Sequence, residues 1–206
     1  MGADREPAET PRKKLARLEG NRQARREPVH EGLMDAALIC AGQVGYRNLT
    51  VAQIYEQAGS NRSQFYQHFP NKADCFGKGY ERQVRLLVGC LASSGQPDDL
   101  RNALDEVARF IADEPARARA MLIEVHLVDG EARRRRREAL ECLARALDRR
   151  FRQMATEQDP PAITAEFMVS AIEQAATAAL VEGDPAKFRD AVPALEGLIL
   201  QAYRQN

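Results

Sequence analysis

Arg62, Ser63, Gln64 and Gln67 lie within one six-residue window. Together their side chains donate and accept hydrogen bonds in the patterns that base edges present in a DNA major groove. Tyr66 and His68 interleave with them and carry polar tips that can reach a phosphate. Thr50 and Lys72 fall where helices are predicted to begin, and the free amides and positive dipole end of a helix N-terminus attract phosphate. The chemistry these residue types support is recognition. A phosphate-cradling glycine loop and a His-Glu-x-x-His pair are both missing, and the three histidines are well separated. No catalytic residue, metal ligand or cofactor is therefore assigned.

The recognition residues need a scaffold, and the sequence supplies one. Thr50 with Gln53 has the capping-box spacing, so a short helix starts there, turns Val51, Ile54 and Ala58 inward and stops at Gly59. Asn61 with Gln64 repeats the capping pattern, starting a third helix that buries Phe65 and Phe69 and ends at Pro70. A helix, a glycine-containing turn and a short polar-faced helix make a helix-turn-helix. Before it, Val29, Leu33, Ala37, Cys40 and Val44 follow helical spacing, with Gly45 placed as a C-cap. After it, Asn71 can cap a long helix reaching about Ala92, with Phe76, Tyr80, Val84, Leu87 and Leu91 along one stripe.

Gly59-x-x-x-x-x-Phe65-Tyr66-x-His68-Phe69-Pro70-Asn71-Lys72, following Thr50-Val51-x-x-Ile54, closely resembles the DNA-binding signature of the tetracycline-repressor (TetR) family. Ala36-Ala37 and Val44-Gly45-Tyr46 look like that family's first helix and its exit, so the resemblance covers about residues 29–76. It departs at Ser60, where the family usually has an apolar residue, and at Ser63, where it often has a smaller one. Position by position, the resemblance puts Arg62, Ser63, Gln64 and Gln67 at the bases and Thr50, Tyr66, His68 and Lys72 at the backbone. It further implies a ligand-responsive repressor. Two recognition helices of a homodimer would enter successive major grooves of a near-palindromic double-stranded operator, about 34–36 Å apart. A small-molecule effector would bind among the middle helices, roughly residues 97–157.

Turn signals at Ser94-Gly95-Gln96-Pro97, Glu114-Pro115, Asp129-Gly130, Asp159-Pro160-Pro161 and Gly183-Asp184-Pro185 divide the remainder into five helical segments. The fold class is all-α with about nine helices: a three-helix DNA-binding domain joined by a long fourth helix to a ligand-binding and dimerisation domain. The boundaries are 1–27 for a flexible basic arm, 28–75 for the helix-turn-helix domain and 76–206 for the rest. In the last segment Phe188, Val192, Leu195, Ile199 and Ala202 step by four, three, four and three, the seam of a helix packed at a shallow angle. With Phe167, Ala171 and Ala175 on the alanine-rich helix before it, they are assigned to a four-helix dimer interface. Pro193 is expected to kink that last helix or mark its start near Asp190.

Glu124 and His126, amid Met121, Leu122, Val125 and Val128, are candidate polar anchors for an effector, hydrophobic or amphipathic to judge from the apolar helix faces. Arg133 to Arg137 circle their helix at about 100° per residue, which suits a solvated face paired with Glu138 and Glu141. Cys40, Cys75, Cys90 and Cys142 have neither zinc-site spacing nor disulfide density and read as buried free thiols. The arm, with Arg12, Lys13, Lys14, Arg22, Arg25 and Arg26, either reaches a minor groove or solubilises the chain.

The 206 residues carry a formal net charge of zero, but unevenly: Lys+Arg against Asp+Glu is 12 to 9 over residues 1–80 and 18 to 21 over residues 81–206. A basic end with an acidic remainder suits one end docking on phosphates. No apolar run reaches the roughly 20 residues of a membrane span and no signal-peptide core is present, so a cytoplasmic protein without a membrane partner is expected. Two other functional classes fit less of the sequence: a small-molecule-binding or dimerisation module whose helix-turn-helix only packs, and a helical enzyme with an unrecognised site.

Overall fold

The computed structural model describes residues 11–92, 99–128, 130–152 and 164–204. Among them are nine α-helices, a single 3-10 turn and no strand. Helices α1 (Pro11–Val44), α2 (Val51–Gln57) and α3 (Arg62–His68) form the N-terminal unit. Helix α4 (Lys72–Ala92) leads into α5 (Asp99–Asp113), α6 (Pro115–Leu122), the 3-10 turn Glu124–Leu127, α7 (Gly130–Arg152), α8 (Thr164–Val181) and α9 (Ala186–Arg204).

The local chemistry of the caps explains these boundaries. Thr50 is the N-cap of α2: its hydroxyl accepts the Gln53 N–H at 3.2 Å while its own N–H donates to Gln53 Oε1 at 2.8 Å. Asn61 caps α3 by accepting the Gln64 N–H at 3.0 Å, and Asn71 accepts the Asp74 N–H at 2.9 Å at the start of α4. Helix α2 ends on Gly59 at φ +60°, where the Ser60 N–H reaches back to the Tyr55 carbonyl at 2.7 Å, closing the turn between α2 and α3.

Two of the expected boundaries differ. Helix α1 starts at Pro11, so residues 11–27, read from their charge as an arm, are helical; residues 1–10 lie outside the described part. Poor burial capacity does not forbid a helix where local propensity favours one: Lys, Leu, Ala, Arg and Glu dominate residues 13–26, and proline is tolerated at the first helical position. Helix α9 runs through Pro193 without interruption. Pro193 and Arg189, whose carbonyl loses its helical donor, both lie on the exposed side, where water can replace that donor. The turn signals around residues 94–97 and 159–161 lie outside the described residues.

The buried side chains gather in two clusters. One is built on α1–α4, including Leu33, Ile54, Phe65, Phe69 and Phe76, and extends to Met121 and Val125. The other joins α5, α7, α8 and α9 through Leu104, Ile111, Leu147, Phe188 and Ile199. Phe110, Leu122 and Leu143 pack against both, so the N-terminal unit and the helical body share a seam. At that seam a Cβ on Gly42 would lie 1.7 Å from the Ala116 carbonyl oxygen, so α1 and α6 approach backbone to backbone. Helices α4 and α7 meet where Gly77 faces Ala132, and Arg135 crosses from α7 to Asp74 at 3.4 Å and Glu81 at 3.3 Å on α4.

The seam residues of α9 face the protomer's own core: Phe188 and Val192 are fully buried, and Leu195 and Ile199 nearly so. This corrects the dimer-interface assignment of Phe188, Val192, Leu195 and Ile199. A four-three spacing marks a buried helix face without saying which neighbour buries it, and here α5 and α8 do. Ala202 packs half-buried on the same cluster. The apolar groups left outside on this pair of helices are Phe167 at 61% exposed, Val181 at 68% and Leu198 at 56%. Ala171 is also exposed and Ala175 half-buried.

Cys40 and Cys75 are buried free thiols and Cys142 is a half-buried one; the Cys90 side chain lies outside the description. No helix of the described residues is long and apolar enough to cross a membrane.

Candidate nucleic-acid interface

Helix α3 is two-sided. Phe65 and Phe69 are buried and their rings lie 5.9 Å apart, which fixes the helix on α1 and α2. Burying each ring contributes roughly 1.5–3 kcal/mol. The opposite side exposes Arg62, Ser63, Tyr66 and Gln67, at positions one and four residues apart that share a helical face. The Arg62 guanidinium lies 5.8 Å from the centre of the Tyr66 ring, a contact that extends both side chains along the helix surface.

Gln64 is more constrained. Its side-chain oxygen accepts from the Ser60 hydroxyl and from the Asn61 amide, each at 2.9 Å, which leaves only its NH2 group to face outward. This gives Ser60 a structural use: where the family usually packs an apolar group, a hydroxyl holds Gln64. His68 is half-buried in a ring cluster, 5.4 Å from His30, which stacks on Phe69 at 4.6 Å. Burial first, and the Lys78 ammonium second, hold the His30 imidazole below its ordinary value.

Thr50 is exposed at the start of α2, with its hydroxyl in the capping box. Lys72 is turned inward: its ammonium donates to the carbonyls of Leu49 at 2.6 Å, Tyr46 at 3.1 Å and Arg47 at 3.5 Å, and lies 4.9 Å from the Tyr46 ring centre. It stitches the α1–α2 turn to α4.

Further along the chain, α4, α5, α6, α7 and α8 border an apolar cavity of about 120 Å³. Val84, Leu104, Ile111, Leu143 and Val169 line it, and Tyr80, Gln83 and Glu173 also border it, though its surface is almost wholly apolar. Tyr80 is buried, and burial pushes its phenol up despite the opposing charge of Arg136. Arg136 in turn pairs with Glu173 at 2.9 Å.

Residues 33–78 match the family model of bacterial regulatory proteins of the tetR family. The N-terminal unit is thus of the TetR type. No curated protein matches it in sequence. Among solved structures it is similar to the fatty acid degradation regulator FadR from Bacillus halodurans, with TM-score 0.70, 17% identity, and 84% of this chain and 95% of that one covered. It is also similar to FadR from Bacillus subtilis in complex with stearoyl-CoA, with TM-score 0.68, 15% identity and coverage of 83% and 97%. Regulatory protein TetR from Rhodobacter sphaeroides gives TM-score 0.68, 20% identity and coverage of 82% and 97%. At these identities the likeness is one of fold.

Glu124 and His126, the expected effector anchors, are not among the residues that line the cavity. The Glu124 side chain is 4% exposed, but it accepts the Tyr46 N–H at 2.9 Å and lies 3.4 Å from Arg119, a link to the N-terminal unit. His126 is exposed and lines a groove along α8 that shares Leu122 and Glu173 with the cavity. A buried carboxylate in an apolar sequence needs a partner, and a backbone amide distant in sequence leaves no local signal. Of the arginine run, Arg134 and Arg137 do pair with Glu138 at 2.7 Å and Glu141 at 3.9 Å on their own helix. Arg135 and Arg136 instead turn to α4 and α8, because five consecutive positions circle a helix and some must face its neighbours.

Proposed function

We propose that this protein is a TetR-type, effector-responsive repressor that binds a near-palindromic operator as a homodimer in the cytoplasm. The observation that carries the reading is the exposed face of α3. Arg62, Ser63, Tyr66 and Gln67 are presented together on a helix whose other side is locked by Phe65 and Phe69. In this reading Arg62, Ser63, Gln67 and the free NH2 group of Gln64 read bases, and Thr50, Tyr66 and His68 hold the backbone. Residues 28–75 act as the reading head and 76–206 as the sensing and dimerising body.

Support for the dimer comes from Phe167, Ala171, Val181 and Leu198, apolar groups left in water on α8 and α9 of a single protomer. Support for an effector comes from the cavity and from α4, which begins beside the reading head at Lys72 and lines the cavity with Tyr80 and Val84. The B. subtilis FadR structure of the same fold contains stearoyl-CoA. A cavity of about 120 Å³ is smaller than the roughly 150 Å³ that takes up benzene, so a larger effector has to move α4 or α5. Such an effector favours the state in which the reading heads no longer match their half-sites.

The test is selection of bound duplexes from a random library with the full chain, followed by titration of the enriched site at several salt concentrations. Enrichment of a near-palindrome with salt-sensitive binding is expected. No enrichment and no binding to any duplex at low salt would remove the regulator reading in favour of a ligand-binding module whose helix-turn-helix only packs.

A further inference from the structure

We infer that the effector site takes an amphiphile with an anionic head, whose apolar part enters the cavity and whose head replaces Glu173 as the partner of Arg136. This rests on the effector reading above and specifies the ligand chemistry.

The cavity does not stand alone. Beside it, between α7 and α8, runs a groove of about 690 Å³. Arg133, Arg134, Arg136 and Arg137 line it, against Glu141, Glu166 and Glu173. Leu140, Val169 and Glu173 border both spaces, so the cavity and the groove adjoin at these residues. A ligand occupying both must be apolar at one end. At the other it meets guanidinium groups already paired with carboxylates, Arg134 with Glu138, Arg136 with Glu173 and Arg137 with Glu141, so that an anionic head can bind by taking a carboxylate's place.

Glu173 already marks the anion position. Its carboxylate sits at the junction, 2.9 Å from an Arg136 guanidinium nitrogen. Arg136 also keeps a buried Nε with no protein acceptor among the described residues, so its donors are not exhausted by Glu173. A ligand carboxylate or phosphate arriving from the cavity side can take over these donors in a forked geometry, while Glu173 turns into the open groove. The exchange reaches α4, because the Arg136 charge also acts on the buried Tyr80 phenol in the cavity lining. Changing the partner of one guanidinium thus touches α4, α7 and α8 together.

The experiment uses the full chain and calorimetric titration with octanoate, octanoyl-CoA, octanol and coenzyme A. At least one of the two anionic octyl probes is expected to bind about tenfold tighter than octanol, the scale of one charge-assisted contact. Preference for the free acid assigns the head position to a carboxylate; preference for the thioester assigns it to phosphates. Either supports the inference. Arg136→Gln should remove the preference over octanol, and Glu173→Gln, which removes the internal competitor, should tighten the anion several-fold. The two variants have opposite signs, so a loss of folding in Arg136→Gln cannot imitate the result. Octanol binding as well as both anions, coenzyme A binding as well as its octanoyl ester, or Glu173→Gln leaving anion affinity unchanged would each overturn it. Operator release separates this inference from the effector reading. Anionic probes that bind as expected but leave the operator complex intact sink the effector reading alone. Octanol that releases the operator as potently as the anions sinks this inference alone.

Discussion

The buried carboxylate of Glu124 accepts the backbone N–H of Tyr46 at 2.9 Å, joining positions 78 apart in the chain. Tyr46 follows the end of α1, and Glu124 opens the 3-10 turn between α6 and α7, so one hydrogen bond ties the reading head to the sensing body. Glu124→Ala leaves a buried N–H without its acceptor, at a cost of about 1–3 kcal/mol. The thermal midpoint should fall by roughly 3–10 °C, whereas Glu124→Gln, which keeps an oxygen in place, should lose about half as much. Equal midpoints for wild type and Glu124→Ala in a thermal melt would show that this bond carries no weight.

Two glycines in α1 should respond to alanine with opposite signs. Gly42 has no room: its added Cβ would lie 1.7 Å from the Ala116 carbonyl oxygen, and a backbone atom cannot step aside as a side-chain tip can. Gly42→Ala must push α1 and α6 apart and should cost about 1–3 kcal/mol or more. Gly32 has nothing within 4 Å of its added Cβ, so Gly32→Ala should gain roughly 0.5–1 kcal/mol from helix propensity. Urea denaturation of both variants checks the pair, and a neutral Gly42→Ala would mean that the helices are not in contact there.

The legible part of the sequence was the part governed by local rules. The Thr50 and Asn61 caps, the Gly59 turn and the buried Phe65 and Phe69 each announce themselves within a few residues, and all are found as expected. Long-range partners were not legible. The α9 seam of Phe188, Val192, Leu195 and Ile199 has the same spacing whether it meets a second protomer or its own α5 and α8. Glu124 looked like a pocket anchor because a carboxylate among apolar residues must face something, and the sequence does not say what. The cavity, and the Arg136–Glu173 pair at its edge, depend on how five helices meet, which no single stretch encodes.

Lys72 and Arg62 were both read as DNA contacts, and their surroundings now separate them. The Lys72 ammonium is engaged by the carbonyls of Leu49, Tyr46 and Arg47, so Lys72→Met should cost about 1.5–3 kcal/mol of folding stability, the range for hydrogen bonds to a charged group. Arg62 is exposed on α3, and Arg62→Ala should leave stability within about 0.5 kcal/mol. On the selected operator, however, Arg62→Ala should weaken binding by about 1–3 kcal/mol and relax base choice at one position of each half-site. Denaturation midpoints and paired titrations on operator and random duplex read both effects. A destabilised Arg62→Ala, or an Arg62→Ala that loses equally on both duplexes, would contradict the assignment.

The stacked His30 makes the reading head sensitive to acid. Burial against Phe69 and the Lys78 ammonium lower its imidazole below the ordinary 6.5, outweighing the pull of Glu31, Asp74 and Glu27. The unfolded chain therefore takes up a proton at a pH where the folded chain still resists it, and stability falls as pH drops through about 6.5 toward the lowered folded value. Above about pH 7.5 His30 is neutral in both states and contributes no slope. His30→Phe retains a ring against Phe69 but binds no proton, and both chains keep His68 and the same carboxylates. Chemical denaturation between about pH 7.5 and 5.5 should thus show a steeper loss for wild type than for His30→Phe, the difference being the contribution of His30. Parallel slopes for the two chains would mean that His30 titrates alike in the folded and unfolded states.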